Sequence, residues 1–194
     1  MTSFKDPLKI AKLLAGFEKP WFVAGGWAID LYLGHITRVH KDIEIAILRC
    51  DQLALQNYLR DWEFIKVIPE SGSQREPWER GEWLKLPVHE IHARRKGEDP
   101  SDLEILLNES RGGEWRFRRN LSICSPLSMI GQLSEIGMPF LSPEIVLLYK
   151  AKNPTAIDQI DFENVCQVLK IEPRQWLKEA IRCCYPGHPW LDIL

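Results

Sequence analysis

The chain has 194 residues, of which 45% are hydrophobic and 27% charged, and its formal net charge is -2. That is the make-up of an ordinary globular protein with one substantial core, or of one α/β domain with a smaller helical appendage, and it excludes a disordered chain. A charge so near balance also excludes bulk attraction to nucleic acid or to an anionic membrane, so contact with either would need a local patch.

The N-terminal stretch MTSFKDPLKIAKLLAGF spreads Lys5, Lys9 and Lys12 through its apolar pattern, and FLSPEIVLLYKA is broken by Ser, Pro, Glu and Lys. Neither has the form of a signal-peptide core or a membrane span, so a soluble, cytoplasmic protein is expected. The five cysteines, Cys50, Cys124, Cys166, Cys183 and Cys184, contain no C-x-x-C pair and imply neither a disulfide framework nor a zinc site. Nothing near Cys50 suggests an activating partner for a nucleophile.

In chain order, Leu8, Ile10, Ala11, Leu13, Leu14 and Phe17 recur at helical spacing behind Asp6-Pro7, a cap followed by proline, and Pro20 ends that helix. Trp21 to Ala24 is an apolar run between Pro and Gly-Gly, read as a buried strand. Trp27 to Leu33 is a helix of about two turns, apolar except at Asp30, with Gly34 as its left-handed cap. The loop HITRVHK leads into a strand from Asp42 to Leu48, where Asp42, Glu44 and Ala46 share one face and Ile43, Ile45 and Ile47 the other.

Asp51 caps a helix whose apolar face is Leu53, Leu55, Tyr58 and Leu59, and Trp62 to Ile68 reads as a strand. Glu70 to Glu82 is polar and turn-rich and reads as a surface loop, Trp83 to Leu86 as a short strand, and Arg94 to Ser101 as another loop. DLEILLNE, from Asp102, is a strand with Asp102 and Glu104 on one face, and Trp115 to Ile123 alternates basic and apolar residues as one strand with a solvated face. From Pro143 the pattern turns helical through PEIVLLYKAK, TAIDQIDFENVCQVL and PRQWLKEAIRCCY, and PGHPWLDIL is a proline-rich tail. The whole is an α/β fold, a mixed sheet with helices on one face, followed by a smaller C-terminal helical domain. The composition shift between residues 125 and 142 divides it into 1–130 and 131–194.

Several of these residues carry chemistry. Gly25-Gly26, after a strand and before a helix, lets the backbone approach an anion and aims N–H groups and the helix dipole at it, although a tight turn alone explains two glycines. Asp42 and Glu44, on one face of a strand, are poor neighbours without a cation, and Mg²⁺ takes such oxygen ligands together with substrate phosphates; a solvated strand edge is the plain alternative. A third acid could share the metal and accept the proton of an attacking hydroxyl. Glu104 is preferred over Asp102 for that role because it sits deeper in an apolar run.

Arg38 is placed to clamp a phosphate or to pair with nearby acids. Lys150, and less so Lys152, could reach a triphosphate from the end of a helix. Asp158 and Asp161 read as an exposed helical face or a domain contact, Asp158 being the better candidate for a cleft. His89-Glu90-Ile91-His92 has one residue too few for a zinc-protease helix, which leaves structural or solvated histidines. RGGEWRFRR, from Arg111, is basic and aromatic, a pattern that can bind single-stranded nucleic acid, although acids surround it.

Taken together, Gly25-Gly26-Trp27-Ala28-Ile29-Asp30, Gly34, Thr37-Arg38, His40 and Asp42-Ile43-Glu44-Ile45 resemble the signature of the aminoglycoside 2″-adenylyltransferase-like family of the nucleotidyltransferase superfamily. PEIVLLYKAKN, IDQIDF and PGHPW are similar to later segments of that family, so the likeness covers most of the chain. It implies a small α/β nucleotidyltransferase domain followed by helices, a triphosphate on Gly25 and Gly26, and Mg²⁺ on Asp42 and Glu44. The superfamily commonly shows D-x-D, and Glu44 departs from it by one methylene, which puts metal affinity in question.

The expected function is a Mg²⁺-dependent nucleotidyltransferase with a two-ion site on Asp42, Glu44 and Glu104. It would move AMP from ATP, or another monophosphate from its triphosphate, to a hydroxyl of a small molecule such as an aminoglycoside-like compound. The alternatives are transfer to RNA or protein, motivated by RGGEWRFRR, and a nucleotide-binding module without catalysis, motivated by Glu44. A cationic acceptor would need acids in its cleft, for which Glu70, Glu76, Glu79, Glu82 and Asp158 are the candidates. The sequence names neither the acceptor nor an oligomeric state, and nucleic acid and membrane are not expected partners.

Overall fold

The computed structural model describes residues 4–69, 72 and 74–194. Helix α1 (Lys5–Leu13) carries Pro7 in its first turn and buries Ile10, with Leu14 just beyond its end buried beside it. Strand β1 (Trp21–Val23) leads directly into α2 (Gly25–Leu33), which Gly34 closes at φ 76°, a left-handed cap that glycine adopts without steric cost. Then come β2 (Glu44–Leu48), α3 (Gln52–Tyr58), β3 (Glu63–Ile68), β4 (Gln74–Pro77), β5 (Glu90–Arg94) and β6 (Asp102–Arg111). β7 (Glu114–Phe117), β8 (Asn120–Pro126), β9 (Gly131–Leu133) and β10 (Pro139–Leu141) precede three helices, α4 (Pro143–Lys150), α5 (Ala156–Cys166) and α6 (Ile171–Cys184).

The sheet runs β4-β3-β5-β6-β2-β1-β10-β9, with β7 and β8 continuing from the far end of β6. β2 lies parallel to β6 and β1 parallel to β10, and the other neighbours are antiparallel. β2 is central and buried on both faces: Ile45 and Ile47 fill one, and Ala46 and Leu48 the other. Glu44 is its single charged residue, and a carboxylate on such a strand is costly unless something compensates it.

The structure departs from the sequence reading at several points. Trp83 to Leu86 is not a strand, and the expected loop from Glu70 to Glu82 contains β4 at the sheet edge; Glu70 itself lies outside the described residues. Trp115 to Ile123 is a hairpin, β7 and β8, turning at Arg118-Arg119 with Phe117 opposite Asn120. The tail is docked, because Trp190 stacks on Phe162 with ring centroids 4.1 Å apart. β9 and β10 join the sheet, and one continuous apolar cluster reaches from α1 through the sheet into α4, α5 and α6. No helix among the described residues is long and apolar enough to cross a membrane, and all five cysteines are free.

Candidate active site

Parallel pairing sets Glu44 of β2 directly beside Glu104 of β6, and antiparallel pairing sets His92 of β5 on the other side of Glu104. Register partners on adjacent strands project to the same face, so these three side chains form a row across the middle of the sheet. His92 joins two acids: its Nδ1 lies 3.4 Å from Glu104 Oε1, and its Nε2 lies 2.9 Å from Glu90 Oε1. His92 is therefore not a solvated histidine but an ion-paired one, and Glu90 and His92 stand in this candidate site although sequence reasoning set them aside. The available signal was their spacing, which puts both on one face once the segment is a strand.

Asp42 stands exposed at the mouth, two residues before β2 begins. Its approach loop is fixed by Asp30, which is fully buried on α2. Asp30 Oδ1 accepts from Thr37 N at 3.2 Å and Thr37 Oγ1 at 2.6 Å, and Oδ2 pairs with His40 Nε2 at 2.6 Å. The His40 ring stacks on Trp27 at 4.2 Å. The one polar residue of an otherwise apolar helix thus anchors the loop that delivers Asp42.

Gly25 adopts φ 58°, and a Cβ there would fall 1.5 Å from Glu44 Oε2, so only glycine fits. The first turn of α2 has no side-chain cap, which leaves its N–H groups beside that carboxylate. A Cβ on Gly26 would meet Arg38 Nη2 at 2.0 Å, and Arg38 is held there by Asp161, its Nε and Nη2 donating to Oδ1 and Oδ2 at 3.2 Å each. Of the two placements open to Asp161 in the sequence, an exposed helical face or a domain contact, it takes a buried contact, with Lys150 Nζ 3.0 Å from its Oδ2. Lys150 also pairs with Asp158 at 2.5 Å, and Asp158 completes a capping box with Thr155 at the start of α5. Lys152 is exposed, and Asp102, also exposed, pairs with Arg94 at 2.9 Å, which takes it out of the row.

Two clefts flank the row. The wider, about 500 Å³, is lined by Asp42, His92, Asp102 and Glu104. The narrower, about 230 Å³, is lined by Gly25, Glu44, Glu90, Arg118, Tyr149 and Lys150. Of the acids expected for a cationic acceptor, Glu76, Glu79, Glu82 and Asp158 line neither, and Glu82 pairs with Lys66. Trp115 and Phe117 of the basic-aromatic stretch are fully buried and offer no platform for stacking a base.

Burial, and next the Glu104 carboxylate beside it, push Glu44 up to about 7, while Lys150 pulls the other way. Burial also raises Glu104, with His92 drawing it down and Glu90 and Asp42 pushing it up. Such a crowded pair of carboxylates calls for a cation. Among the described residues no three side chains converge as a ready-made metal cluster. The oxygen-only donor set nevertheless fits Mg²⁺, which takes one or two carboxylates and completes its shell with water and substrate phosphates.

A mixed sheet with acids on a parallel strand pair, a glycine turn facing them and helices behind is a nucleotidyltransferase-type fold, and solved antibiotic nucleotidyltransferases share it. ANT(2'')-Ia in complex with adenylyl-2''-tobramycin superposes with a TM-score of 0.60 at 17% identity, over 94% of this chain and 99% of that one. The lincomycin-bound lincosamide antibiotic adenylyltransferase LnuA gives 0.57 at 18% identity, over 87% of this chain and 99% of its own. More particularly, the model of the aminoglycoside-2''-adenylyltransferase family matches residues 7–165, and the chain belongs to that family. Among curated proteins, none matches the sequence.

Proposed function

We propose that the protein is a Mg²⁺-dependent nucleotidyltransferase that moves AMP from ATP to a hydroxyl of a small molecule, releasing pyrophosphate. The observation that carries this reading is the in-register Glu44–Glu104 pair facing Gly25. Gly25, Gly26 and the uncapped first turn of α2 bind the triphosphate through backbone N–H groups, with Arg38 and Lys150 as nearby cations that it would share with Asp161 and Asp158. Asp42 and Glu44, with Glu104 beside them, hold the metal, which when bound neutralises phosphate charge and sharpens the phosphorus as an electrophile. Glu104, oriented by His92, accepts the proton of the acceptor hydroxyl. The acceptor oxygen then bonds to the α-phosphorus as the bond to the bridging oxygen breaks, and that electron pair leaves with pyrophosphate.

The tobramycin and lincomycin of the related structures make antibiotic hydroxyls the first acceptors to try. A pyrophosphate-release screen over nucleoside triphosphates and hydroxylated small molecules tests the reading. Acceptor-dependent release is expected, and Asp42→Asn and Glu104→Gln should each cut it by about 100-fold or more while the fold is kept. Undiminished turnover in Asp42→Asn would show that the site is misassigned. ATP binding without any acceptor-dependent release would favour the binding-module reading, for which the specific observation is Glu44, whose longer side chain packs against Gly25.

A further inference from the structure

The stretch RGGEWRFRR puts two arginines where turn chemistry gives no reason for them. Arg118 and Arg119 are the two residues of the β7–β8 hairpin turn, between Phe117 and Asn120, and such turns favour glycine, asparagine or aspartate. Both line the narrower cleft, with His89 and Tyr149. Arg116, on the strand before them, is neutralised by Glu114 at 2.5 Å, whereas among the described residues neither Arg118 nor Arg119 enters an ion pair. Arg119 Nη1 donates to Tyr149 O at 2.8 Å and to Tyr185 Oη at 3.3 Å, both neutral acceptors. The two guanidinium groups lie over the Tyr149 ring, at 5.3 and 5.6 Å from its centroid.

The neighbouring groups only partly supply the missing negative charge. Glu90, on the same cleft, is engaged by His92. Burial pushes the Tyr149 phenol up to about 12, so it stays neutral, and its Oη donates to Asn108 Oδ1 at 3.3 Å. His89 is lowered first by burial, with Arg118 and Arg119 also lowering it against the raising effects of the Pro87 carbonyl and Glu90. Arg118 is itself lowered by burial and by Arg119. Arg118 is half-buried and Arg119 exposed, and a half-buried guanidinium beside a second one, without an ion-pair partner, is costly unless a ligand brings a counter-charge.

We infer that the end of the narrower cleft formed by His89, Arg118, Arg119 and Tyr149 is an anion subsite for a phosphate or carboxylate carried by a substrate. The inference rests on the nucleotidyltransferase reading for the identity of that substrate. The negative group belongs either to the phosphates of the triphosphate or to an acidic substituent of the acceptor. At about 3.3 Å per residue along β6, Asn108 at this end lies roughly 13 Å from Glu104 at the other.

Calorimetric binding to the full chain tests this without relying on turnover. The probes are ATP and AMP, each with Mg²⁺, inorganic pyrophosphate, and glucose 6-phosphate against glucose in the presence of a non-hydrolysable ATP analogue. Arg118→Gln is expected to weaken at least one phosphate-bearing probe ten-fold or more, with Arg119→Gln following in the same direction. Arg118→Lys, which keeps the charge, should recover part of the loss and shows that the fold is intact. Loss confined to ATP and pyrophosphate assigns the subsite to the nucleotide; loss confined to glucose 6-phosphate, with ATP retained, assigns it to the acceptor. If both glutamine variants bind every probe within two-fold of wild type, the subsite does not exist, whatever the screen for transfer shows. If binding falls as expected but no acceptor ever supports pyrophosphate release, the subsite stands and the transferase reading fails.

Discussion

Glu44 is buried against Gly25 with Glu104 beside it, and its proton affinity is raised first by that burial and then by the Glu104 charge. In the folded protein it titrates near 7, against 4.5 for a free glutamate. Between those values the native state holds a proton that the unfolded chain has released, so stability falls as pH rises through that window. In metal-free protein the loss attributable to Glu44 is on the order of 3 kcal/mol between pH 4.5 and pH 7. Thermal melts at pH 5 and pH 8 should show Glu44→Gln gaining on wild type at the higher pH and little at the lower. Added Mg²⁺ should close the gap by stabilising wild type alone. An advantage of Glu44→Gln that is the same at both pH values would mean that Glu44 carries no raised proton affinity. At this scale the acids were legible because a carboxylate inside a run of isoleucines and leucines stands out, as both Glu44 and Glu104 do. Their histidine partner was not, because His92 acquires its meaning only when β5 is laid against β6.

Between elements, the ion-paired cluster of Arg38, Lys150 and Asp161 ties the loop after α2 to α4 and α5. Arg38 was expected to face either phosphate or a nearby acid, and the acid it found lies far along the chain on a buried helix face, which no local pattern could reveal. Removing Arg38 leaves the buried Asp161 with Lys150 as its remaining partner, so Arg38→Ala should cost roughly 3 kcal/mol, the low end for a broken buried pair. For a chain of this size that lowers Tm by roughly 6–12 °C. The double variant Arg38→Ala with Asp161→Ala should lose clearly less than the sum of the two single changes, whereas strict additivity would mean that the pair does not interact. Other elements escaped the sequence for equally physical reasons. β4 is an edge strand whose residues are mostly exposed, so it shows no burial alternation. The β7–β8 turn lacks glycine and asparagine, so two strands read as one.

Across the whole molecule, the helices after Pro143 do more than cap a finished sheet. Trp115 of β7 lies 6.2 Å from Tyr149 of α4 and 6.3 Å from Trp176 of α6, ring centroid to centroid, and its Nε1 donates to Asn108 Oδ1 at 2.9 Å on β6. Phe162, Leu177, Ile181 and Trp190 belong to the same buried cluster as Ile45 and Ile105. The chain turns helical only from Pro143, after β9 and β10 have joined the sheet, and the apolar surface runs through that change. Unfolding should therefore be a single cooperative transition, seen at one temperature by tryptophan fluorescence and by far-ultraviolet circular dichroism. Ending the chain at Thr155 would strip the core of those side chains and deprive Arg38 and Lys150 of Asp161. The truncated protein should fail to give a cooperative melt, because the exposed apolar surface and the two unpaired cations together exceed the roughly 5–15 kcal/mol that stabilises a typical domain. A sharp melt from residues 1–155 alone, or two separate transitions in the full chain, would instead make the helical segment an independent unit.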